Sequence, residues 1–507
     1  MYFNNKVYMG KNKDNGIETY ILPSMANRHG LITGASGSGK TVSLKVMAES
    51  FSNAGVPVFL VDVKGDIAGT TKVGVPNENV DSRVQKLALE GFNYQSFPVT
   101  FFDVFGKSGH PLRTTVEKIG PRLLARMLGL SDAQEGILAI IFQIAQDEVL
   151  KLNDLQDLKD LLKFVGDNKD KYITKYGNIT TQSIGAIQRN LLELEQEGGN
   201  YFFGKPDFEL YDLFQFDFNG HGYINILDAQ ELFKKPTLYA VFLIWLLNSL
   251  YDNMPEVGDL ERPKLILCLD EAHLIFSEMN ENLIKQIIQI IKLIRSKGIG
   301  VYFISQSPSD IPDEILAQLG NKIQHVLRSY TPSDEKAIKA AANAFRANPA
   351  FKTEDEIRNL STGEALVSFL NENGEPSIVE KVKILPPQSF MGAITDADRD
   401  LVIKQSRLYG KYESVNNEVS ASELVEEQTK KIAEEKAAEK QAILDAKEAE
   451  KKAKEEAKLK AQQEKAAAKE AEKKKKARTK VVRQLGNKVM NKATTKVVNS
   501  IWKGIFK

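Results

Sequence analysis

The chain reads Gly34-Ala35-Ser36-Gly37-Ser38-Gly39-Lys40-Thr41-Val42 directly after a short apolar segment, and this stretch decides the fold. Its first eight residues match the pattern G-x-x-x-x-G-K-[ST], in which glycines let backbone N–H groups curl around a phosphate without Cβ clashes. The helix that starts here points its positive end at the same place. Lys40 can reach the β- and γ-phosphates of a nucleotide, and the Thr41 hydroxyl can ligate Mg²⁺. We therefore predict that residues 34–42 bind a nucleoside triphosphate.

The segments around this loop indicate an α/β fold with a mainly parallel sheet. His29–Thr33 is a short apolar strand that runs into the loop, and a helix should start at about Lys40. Pro57–Val63 and Pro98–Val104 are further apolar runs, and such strands alternating with helices are typical of a parallel sheet covered on both faces. A glycine-rich turn without a ligand is the alternative interpretation, but the strand before it and the helix after it are the context that a phosphate loop requires.

Two carboxylates follow a later apolar run, Leu265–Leu269, as Asp270 and Glu271. Asp270 has the position of an aspartate that holds Mg²⁺ through its water shell, and Glu271 that of a general base that polarises the attacking water. An Asp-Glu pair alone is more often a helix N-cap, but its combination with a phosphate loop favours phosphoryl transfer. Gln306 follows the strand Ile299–Ser305, where a polar side chain can sense the γ-phosphate or orient water.

The identity of the nucleotide is predicted by exclusion. Guanine-specific proteins usually carry an Asn-Lys-x-Asp reader, whereas residues 321–324 read Asn-Lys-Ile-Gln. ATP with Mg²⁺ is therefore the predicted ligand pair, and ATP hydrolysis is the predicted reaction. Asp62 and Asp66 end the second strand at the sheet edge where ligands bind in such folds, and they fit either the water or metal shell or a solvated turn.

The chain beyond these motifs divides into five predicted regions. Residues 1–108 and 257–416 form the two parts of the ATPase core, and residues 109–256 form a mostly helical insertion with one strand at Gly222–Leu227. Residues 417–480 are rich in Lys, Glu and Ala, which favours a solvated single helix or a loose coiled coil. Residues 481–507, with Trp502, Ile505 and Phe506, read as a basic amphipathic helix. Further strands are predicted at Glu18–Leu22, Lys264–Leu269, Lys322–Leu327 and, as a hairpin around residues 371–374, Glu364–Leu370 and Ser377–Ile384.

Composition limits the class of protein. The 507 residues contain one cysteine, Cys268, so an internal disulfide is excluded and a reducing, cytoplasmic setting fits. The first residues lack the apolar stretch of a signal peptide, and the run Leu238–Leu247 is too short to span a bilayer, so we expect a soluble protein. The net charge of +1 is unevenly distributed along the chain. Residues 473–507 form a basic tail, with twelve Lys or Arg and no Asp or Glu.

The combination of motifs resembles the HerA/FtsK superfamily of P-loop ATPases over roughly residues 15–412. The match is closer to bacterial HerA-like proteins that carry a helicase HerA C-terminal-type domain, on the segments ANRHGLITGASGSGKT, PVFLVDVKGD, LCLDEAHLIF and IRSKGIGVYFISQSPSDIP. The resemblance implies a RecA-like core, a hexameric ring with ATP sites between subunits, and often DNA in the pore. It supports the roles given to Lys40, Thr41, Asp270, Glu271 and Gln306.

The resemblance also implies two catalytic arginines that would neutralise charge in the transition state. Arg28 matches an arginine that reaches the ATP of a neighbouring subunit, and Arg295 matches a second arginine of the same subunit. Arg328 is a weaker third candidate. For each, an ordinary surface or salt-bridged arginine is the alternative.

Three functions stay open at this point. The first is an ATP-driven DNA translocase or helicase-like motor, although only about 28 residues precede the loop strand, too few for the β-barrel that assembles archaeal rings of this group. The second is an ATPase that acts on a protein or at an anionic membrane through the basic tail, which can equally contact nucleic acid. The third is a nucleotide-gated assembly module, against which Asp270 and Glu271 argue.

Overall fold

A computed structural model describes residues 1–12, 14–278, 281–414 and 419–501 of the chain. Contacts divide the chain into one unit at Met1–Val425 and a second unit that begins at Glu426. The first unit holds the sheet and all the predicted site residues. Among the described residues, no helix combines the length and apolar character that crossing a membrane requires.

The strands of the described residues join into one sheet of thirteen. Their order is β1-β2-β13-β12-β11-β4-β10-β9-β5-β8-β6-β7, and β3 pairs with β2. The bounds are β1 Tyr2–Phe3, β2 Lys6–Lys11, β3 Glu18–Ile21, β4 Gly30–Thr33, β5 Val58–Asp62, β6 Val99–Asp103, β7 His110–Pro111, β8 Ile224–Asp228, β9 Leu265–Leu269, β10 Ile299–Ser305, β11 Asn321–Gln324, β12 Glu364–Ser368 and β13 Glu380–Ile384.

The middle of the sheet is parallel, from β11 through β4, β10, β9, β5, β8 and β6 to β7. Every residue of β5, β9 and β10 is buried, because helices cover both faces and leave no side of these strands for water. This confirms the α/β class and the mainly parallel sheet predicted from the apolar runs.

An antiparallel wing completes the sheet beyond β11. The predicted hairpin is present as β12 and β13, and the turn closes with the N–H of Gly374 donating to the carbonyl of Asn371 at 2.9 Å. Strand β13 then pairs with β2 from the start of the chain. The β-rich lead-in is therefore part of the same sheet as the predicted site.

The helices lie between the strands and in the tail. Their bounds are α1 Lys40–Asn53, α2 Glu78–Lys86, α3 Val116–Met127 with a kink at Gly120, α4 Asp132–Asp147, α5 Leu155–Asp167, α6 Lys169–Tyr176, α7 Thr181–Gln196, α8 Gly199–Phe202, α9 Pro236–Asn253, α10 His273–Glu278, α11 Glu281–Ile294, α12 Asp313–Leu316, α13 Pro332–Asn343, α14 Thr353–Asn359, α15 Asp396–Gln405 and α16 Ala421–Ile501.

The stretch predicted as a helical insertion contributes an interior strand to the sheet. Strand β8 lies between β5 and β6 and is parallel to both. All five of its residues are buried, as its sequence INILD between two apolar neighbours requires. The helices α3–α8 occur between β7 and β8 in the chain, so the helical part returns to the core before residue 256. The domain limits at residues 108, 256, 416 and 480 stay predictions.

The tail forms one long helix, α16, in which every residue between 433 and 488 is exposed. Salt bridges at four-residue spacing, such as Lys430–Glu426 at 2.6 Å, run along it. This agrees with a solvated helix, and a coiled coil stays a prediction. Trp502, Ile505 and Phe506 lie outside the described residues.

We predict that Gly222→Ala destabilises the first unit by about 1–3 kcal/mol, because the added Cβ would overlap backbone atoms of Val56 and Pro57, which have no freedom to move aside. Gly222 also donates its N–H to Ser52 at 2.9 Å and fixes the entry to β8. Urea-induced unfolding measures the change. Gly136→Ala in α4 is the control, since its Cβ meets nothing within 4 Å and a helical alanine adds up to about 1 kcal/mol. Equal midpoints for the two variants would refute this close approach of Gly222 to Val56 and Pro57 at the start of β8.

Candidate functional site

Four neighbouring strands bring the predicted site residues to one edge of the sheet. The loop 34–42 follows β4, Gln306 follows β10, Asp270 and Glu271 follow β9, and residues 63–66 follow β5. Thr33 is paired with Ser305 and Leu269 with Phe303, so these strands end within two residues of one another. Because ligands bind at the carboxyl ends of parallel strands, this edge is the candidate site.

The loop conformation depends on its glycines. Gly39 has a φ of 116°, a backbone conformation that is strained for residues with a side chain. Helix α1 begins at the next residue, Lys40. At Gly34, a Cβ would collide with the side chains of His325 and Ser38. Residues 34–39, which we call the phosphate cradle, thus take a backbone conformation that requires glycine at Gly34 and Gly39.

Lys40 is folded back onto this cradle. Its Nζ donates to the carbonyl oxygens of Gly34 at 2.5 Å and Ala35 at 3.2 Å, and the residue is only 7 % exposed. Burial lowers the pKa of Lys40, and the nearby Glu271 opposes that shift. Beside it, the buried Ser38 hydroxyl has no hydrogen-bond partner among the described residues. A buried ammonium and an unpartnered hydroxyl in a glycine loop fit a bound phosphate.

The acidic pair is buried at the end of β9. Asp270 and Glu271 are 7 % and 6 % exposed, and the N–H of Glu271 donates to Asp270 Oδ1 at 2.8 Å. Burial, followed by the negative charge of Glu271, raises the pKa of Asp270 to about 6. Asp270 forms no salt bridge in the part of the chain that the structure describes. The buried carboxylate of Asp270 therefore fits the predicted role of a magnesium ligand, in which Thr41 would be the second ligand.

Three side chains lie close to the carboxylate of Glu271. Lys64 Nζ donates to its Oε1 at 2.7 Å, Gln306 Nε2 lies 3.5 Å from Oε2, and His273 Nδ1 lies 3.3 Å from Oε2. Burial alone would raise the pKa of Glu271, but the hydrogen bond and charge of Lys64 lower it overall. The backbone of Glu271 has a φ of 48°, an unusual value for a residue with a side chain.

Lys64 is a site residue that the sequence analysis missed. Its position is fixed by Asp62, whose carboxylate accepts N–H bonds from Lys64 at 3.2 Å, Gly65 at 2.7 Å and Ile67 at 3.2 Å. Burial raises the pKa of Asp62 to about 6. Of the two alternatives, Asp62 therefore acts in the turn, and its lysine neighbour reaches the site. Only the contact with Glu271, distant in sequence, could have revealed this.

His325 is a second missed residue, directly after β11 and under the loop. Its Nε2 accepts from the Ser43 hydroxyl at 2.8 Å, and its Nδ1–H donates to the carbonyl of Glu364 at 3.0 Å. Burial, with Lys40 nearby, lowers the pKa of His325 to about 4, so the ring is neutral. The ring joins α1 to β12 and packs against Gly34, and it thereby supports the phosphate loop from below.

Two of the three candidate arginines, Arg28 and Arg295, lie away from the loop edge. Arg28 precedes β4 and Arg295 precedes β10, so both sit at the amino ends of strands, and Asn27 Nδ2 donates to the carbonyl of Arg295 at 3.3 Å. The seven-residue strand β10 puts about 20 Å between Arg295 and the loop edge. Strand β10 therefore separates Arg295 from the loop edge of its own subunit, and the same-subunit role stays a prediction. Arg328 is exposed at the loop edge, three residues after His325.

Comparison with known proteins shows which families and structures the chain resembles. The family model described as "Helicase HerA-like C-terminal" matches residues 8–507. The DNA double-strand break repair helicase HerA of Sulfolobus acidocaldarius is 22 % identical over 417 residues, which cover 79 % of this chain and 73 % of that protein. Its counterpart from Sulfurisphaera tokodaii is 22 % identical over 412 residues, covering 78 % and 72 %. Among solved structures, VirB4 of Thermoanaerobacter pseudethanolicus aligns with a TM-score of 0.48 at 16 % identity, covering 75 % of this chain and 97 % of that one.

We predict that Lys64→Met lowers the turnover number for ATP by about 10- to 100-fold, because a carboxylate displaced by an ångström no longer meets its target. The Michaelis constant should change less than about twofold, since Lys64 touches Glu271 rather than the loop. Steady-state ATP hydrolysis measures both constants. Lys72→Met is the matched control, because Lys72 forms an exposed salt bridge with Asp398 at 2.6 Å. Wild-type turnover in Lys64→Met would show that the ion pair has no part in hydrolysis.

Proposed function

The chain belongs to the helicase HerA-like C-terminal family, and from that premise we propose that it is an ATP-hydrolysing motor that acts on DNA. The observation that carries the proposal is the meeting of Lys40, Asp270 and Glu271 at one sheet edge, with the carboxylates buried and Glu271 oriented. The curated relatives that match most of the chain are helicases by name, which supports DNA as the substrate on which work is done.

Each site residue has a task in this reaction. The backbone N–H groups of residues 34–41, with Lys40, bind the β- and γ-phosphates, and Thr41 and Asp270 hold the magnesium ion that accompanies ATP. The carboxylate of Glu271 accepts a proton from the attacking water, and the hydrogen bond from Lys64 lowers its pKa and so keeps it ionised. Gln306, 3.5 Å from the same carboxylate, orients that water or the γ-phosphate. Bound Mg²⁺ would neutralise phosphate charge.

The placement of the arginines supports an assembly in which subunits share sites. Arg28 and Arg295 lie together at the edge of the sheet opposite the loop, so in a head-to-tail arrangement both can face the loop of the next subunit. A closed ring of such contacts is the hexamer that we propose. The two arginines would then neutralise charge on a neighbour's ATP, and the same-subunit role of Arg295 is the alternative.

The basic tail is the proposed contact for phosphate groups outside the ring. In the described part of α16, the exposed Val481, Val482 and Leu485 lie among Lys480, Arg483 and Lys488. Such a segment can bind DNA phosphates, and an anionic membrane surface is the alternative partner with the same charge. We propose DNA, because the relatives by name handle it and the motor needs a polymer to act on.

We predict that Glu271→Gln lowers ATP hydrolysis by about 10²- to 10⁴-fold while ATP still binds, because the amide fills the same space but accepts no proton. Double-stranded DNA at low salt should stimulate hydrolysis by the wild-type chain and leave the variant inactive. Phosphate release and binding of a fluorescent ATP analogue measure the two effects. Full turnover by Glu271→Gln would show that Glu271 is not the general base. Stimulation by anionic vesicles but not by DNA would refute the DNA motor and favour a membrane-associated ATPase.

A mixing experiment tests the shared sites. Arg28→Ala and Glu271→Gln should each be inactive alone, but a mixture should recover up to about a quarter of wild-type hydrolysis, since random pairing across head-to-tail interfaces creates some intact sites. The matched mixture of Lys40→Ala with Glu271→Gln should stay inactive, as both changes fall in the same subunit's half of the site. Failure of the first mixture to recover, or particles of monomer mass with ATP analogue and Mg²⁺, would refute the ring.

A further inference from the structure

A cavity of about 730 Å³ opens beside the phosphate loop. Its walls come from segments that are distant in sequence: Gly39 and Val42 of the loop, Arg83 of α2, Gly363 before β12, and Pro386 and Pro387 after β13. The volume lies in the range of sites that bind small molecules. Since Gly39 and Val42 flank Lys40 and Thr41, a molecule in this cavity would adjoin phosphates held by the loop.

The cavity wall is tied to the loop by hydrogen bonds. The N–H of Gly363 donates to the carbonyl of Ser38 at 3.2 Å, and the N–H of Ile384 donates to the carbonyl of Gly363 at 3.0 Å. The wall therefore keeps its position relative to the phosphate cradle. Pro386 and Pro387 are buried and Val42 is half-buried, which gives the cavity an apolar side.

Arg83 supplies a planar cation to this cavity. Its Nη1 donates to the carbonyl of Ile384 at 3.2 Å, and the guanidinium lies against Gly363, where an added Cβ would collide with it. Arg83 forms no salt bridge within the described ranges. Lys86 and Lys383 also line the cavity, against one acid, Glu78. Arg83 is thus a half-buried guanidinium that lines the cavity and is held at Gly363 and Ile384.

We propose that this cavity binds the base and ribose of a purine nucleotide, with the Arg83 guanidinium stacked on the base. The proposal rests on the proposed function, because the phosphates of the same nucleotide would lie in the loop. Arginine stacks on aromatic rings through its delocalised plane, and the apolar residues Val42 and Pro387 cover the rest of the ring. A purine presents a larger face to both than a pyrimidine does, so the site prefers ATP to UTP.

Calorimetric titration of the full chain tests the proposal. The probes are ATP, UTP and inorganic triphosphate, each with Mg²⁺, and the variants are Arg83→Met, Arg83→Lys and the control Arg189→Met, which changes an exposed arginine of α7. Arg83→Met should weaken ATP binding by about tenfold and change triphosphate binding by less than about twofold. It should also reduce the preference for ATP over UTP, and Arg189→Met should match the wild type.

Arg83→Lys separates stacking from charge, because lysine keeps the charge and loses the plane. It should bind ATP nearly as weakly as Arg83→Met. Full ATP affinity in Arg83→Lys would overturn stacking, and an equal loss for triphosphate in Arg83→Met would make Arg83 a phosphate contact or a structural residue. Failure of the wild-type chain to bind either ATP or triphosphate would instead refute the proposed function, so the two failures are distinguishable.

Discussion

The structure depends on a cluster of buried charges at the carboxyl ends of β4, β9 and β5. Lys40 and the acidic pair are nearly inaccessible to water, and only Glu271 has a direct salt-bridge partner, Lys64, among the described residues. Burying a charge is costly unless a partner compensates it. The ammonium of Lys40 donates to carbonyl oxygens, and burial raises the pKa of Asp270 because its charged form is disfavoured there. Such an arrangement is best satisfied when a polyanion and a divalent cation complete it, which is the electrostatic basis of nucleotide binding here.

Much of this site could be predicted from the sequence because its signals are local. Residues 34–42 form a continuous motif, and Asp270, Glu271 and Gln306 each follow an apolar run that becomes a buried strand. The parallel sheet follows from the same runs. Lys64 and His325 could not be predicted in the same way, because their roles arise from contacts with Glu271 and Ser43, which are more than 200 residues away in sequence.

The placement of β8 and of Arg295 depends on long-range contacts in the same way. Strand β8 was predicted within a helical stretch, and only the pairing of distant segments shows that it belongs between β5 and β6. The same-subunit role of Arg295 followed from a resemblance of sequence, whereas the direction of β10 puts that residue at the opposite edge. That edge carries Arg28 and Arg295, whereas the loop edge carries Asp270 and Glu271 beside Lys40 and Lys64.

The position of Lys40 in the presence of nucleotide tests the central claim most directly. A crystal or electron cryo-microscopy structure with a non-hydrolysable ATP analogue and Mg²⁺ would show it. We expect Lys40 Nζ to leave the carbonyl oxygens of Gly34 and Ala35 for the phosphates, with Asp270 and Glu271 facing the same ligand. An analogue bound elsewhere, with Lys40 still on those carbonyls, would contradict the account.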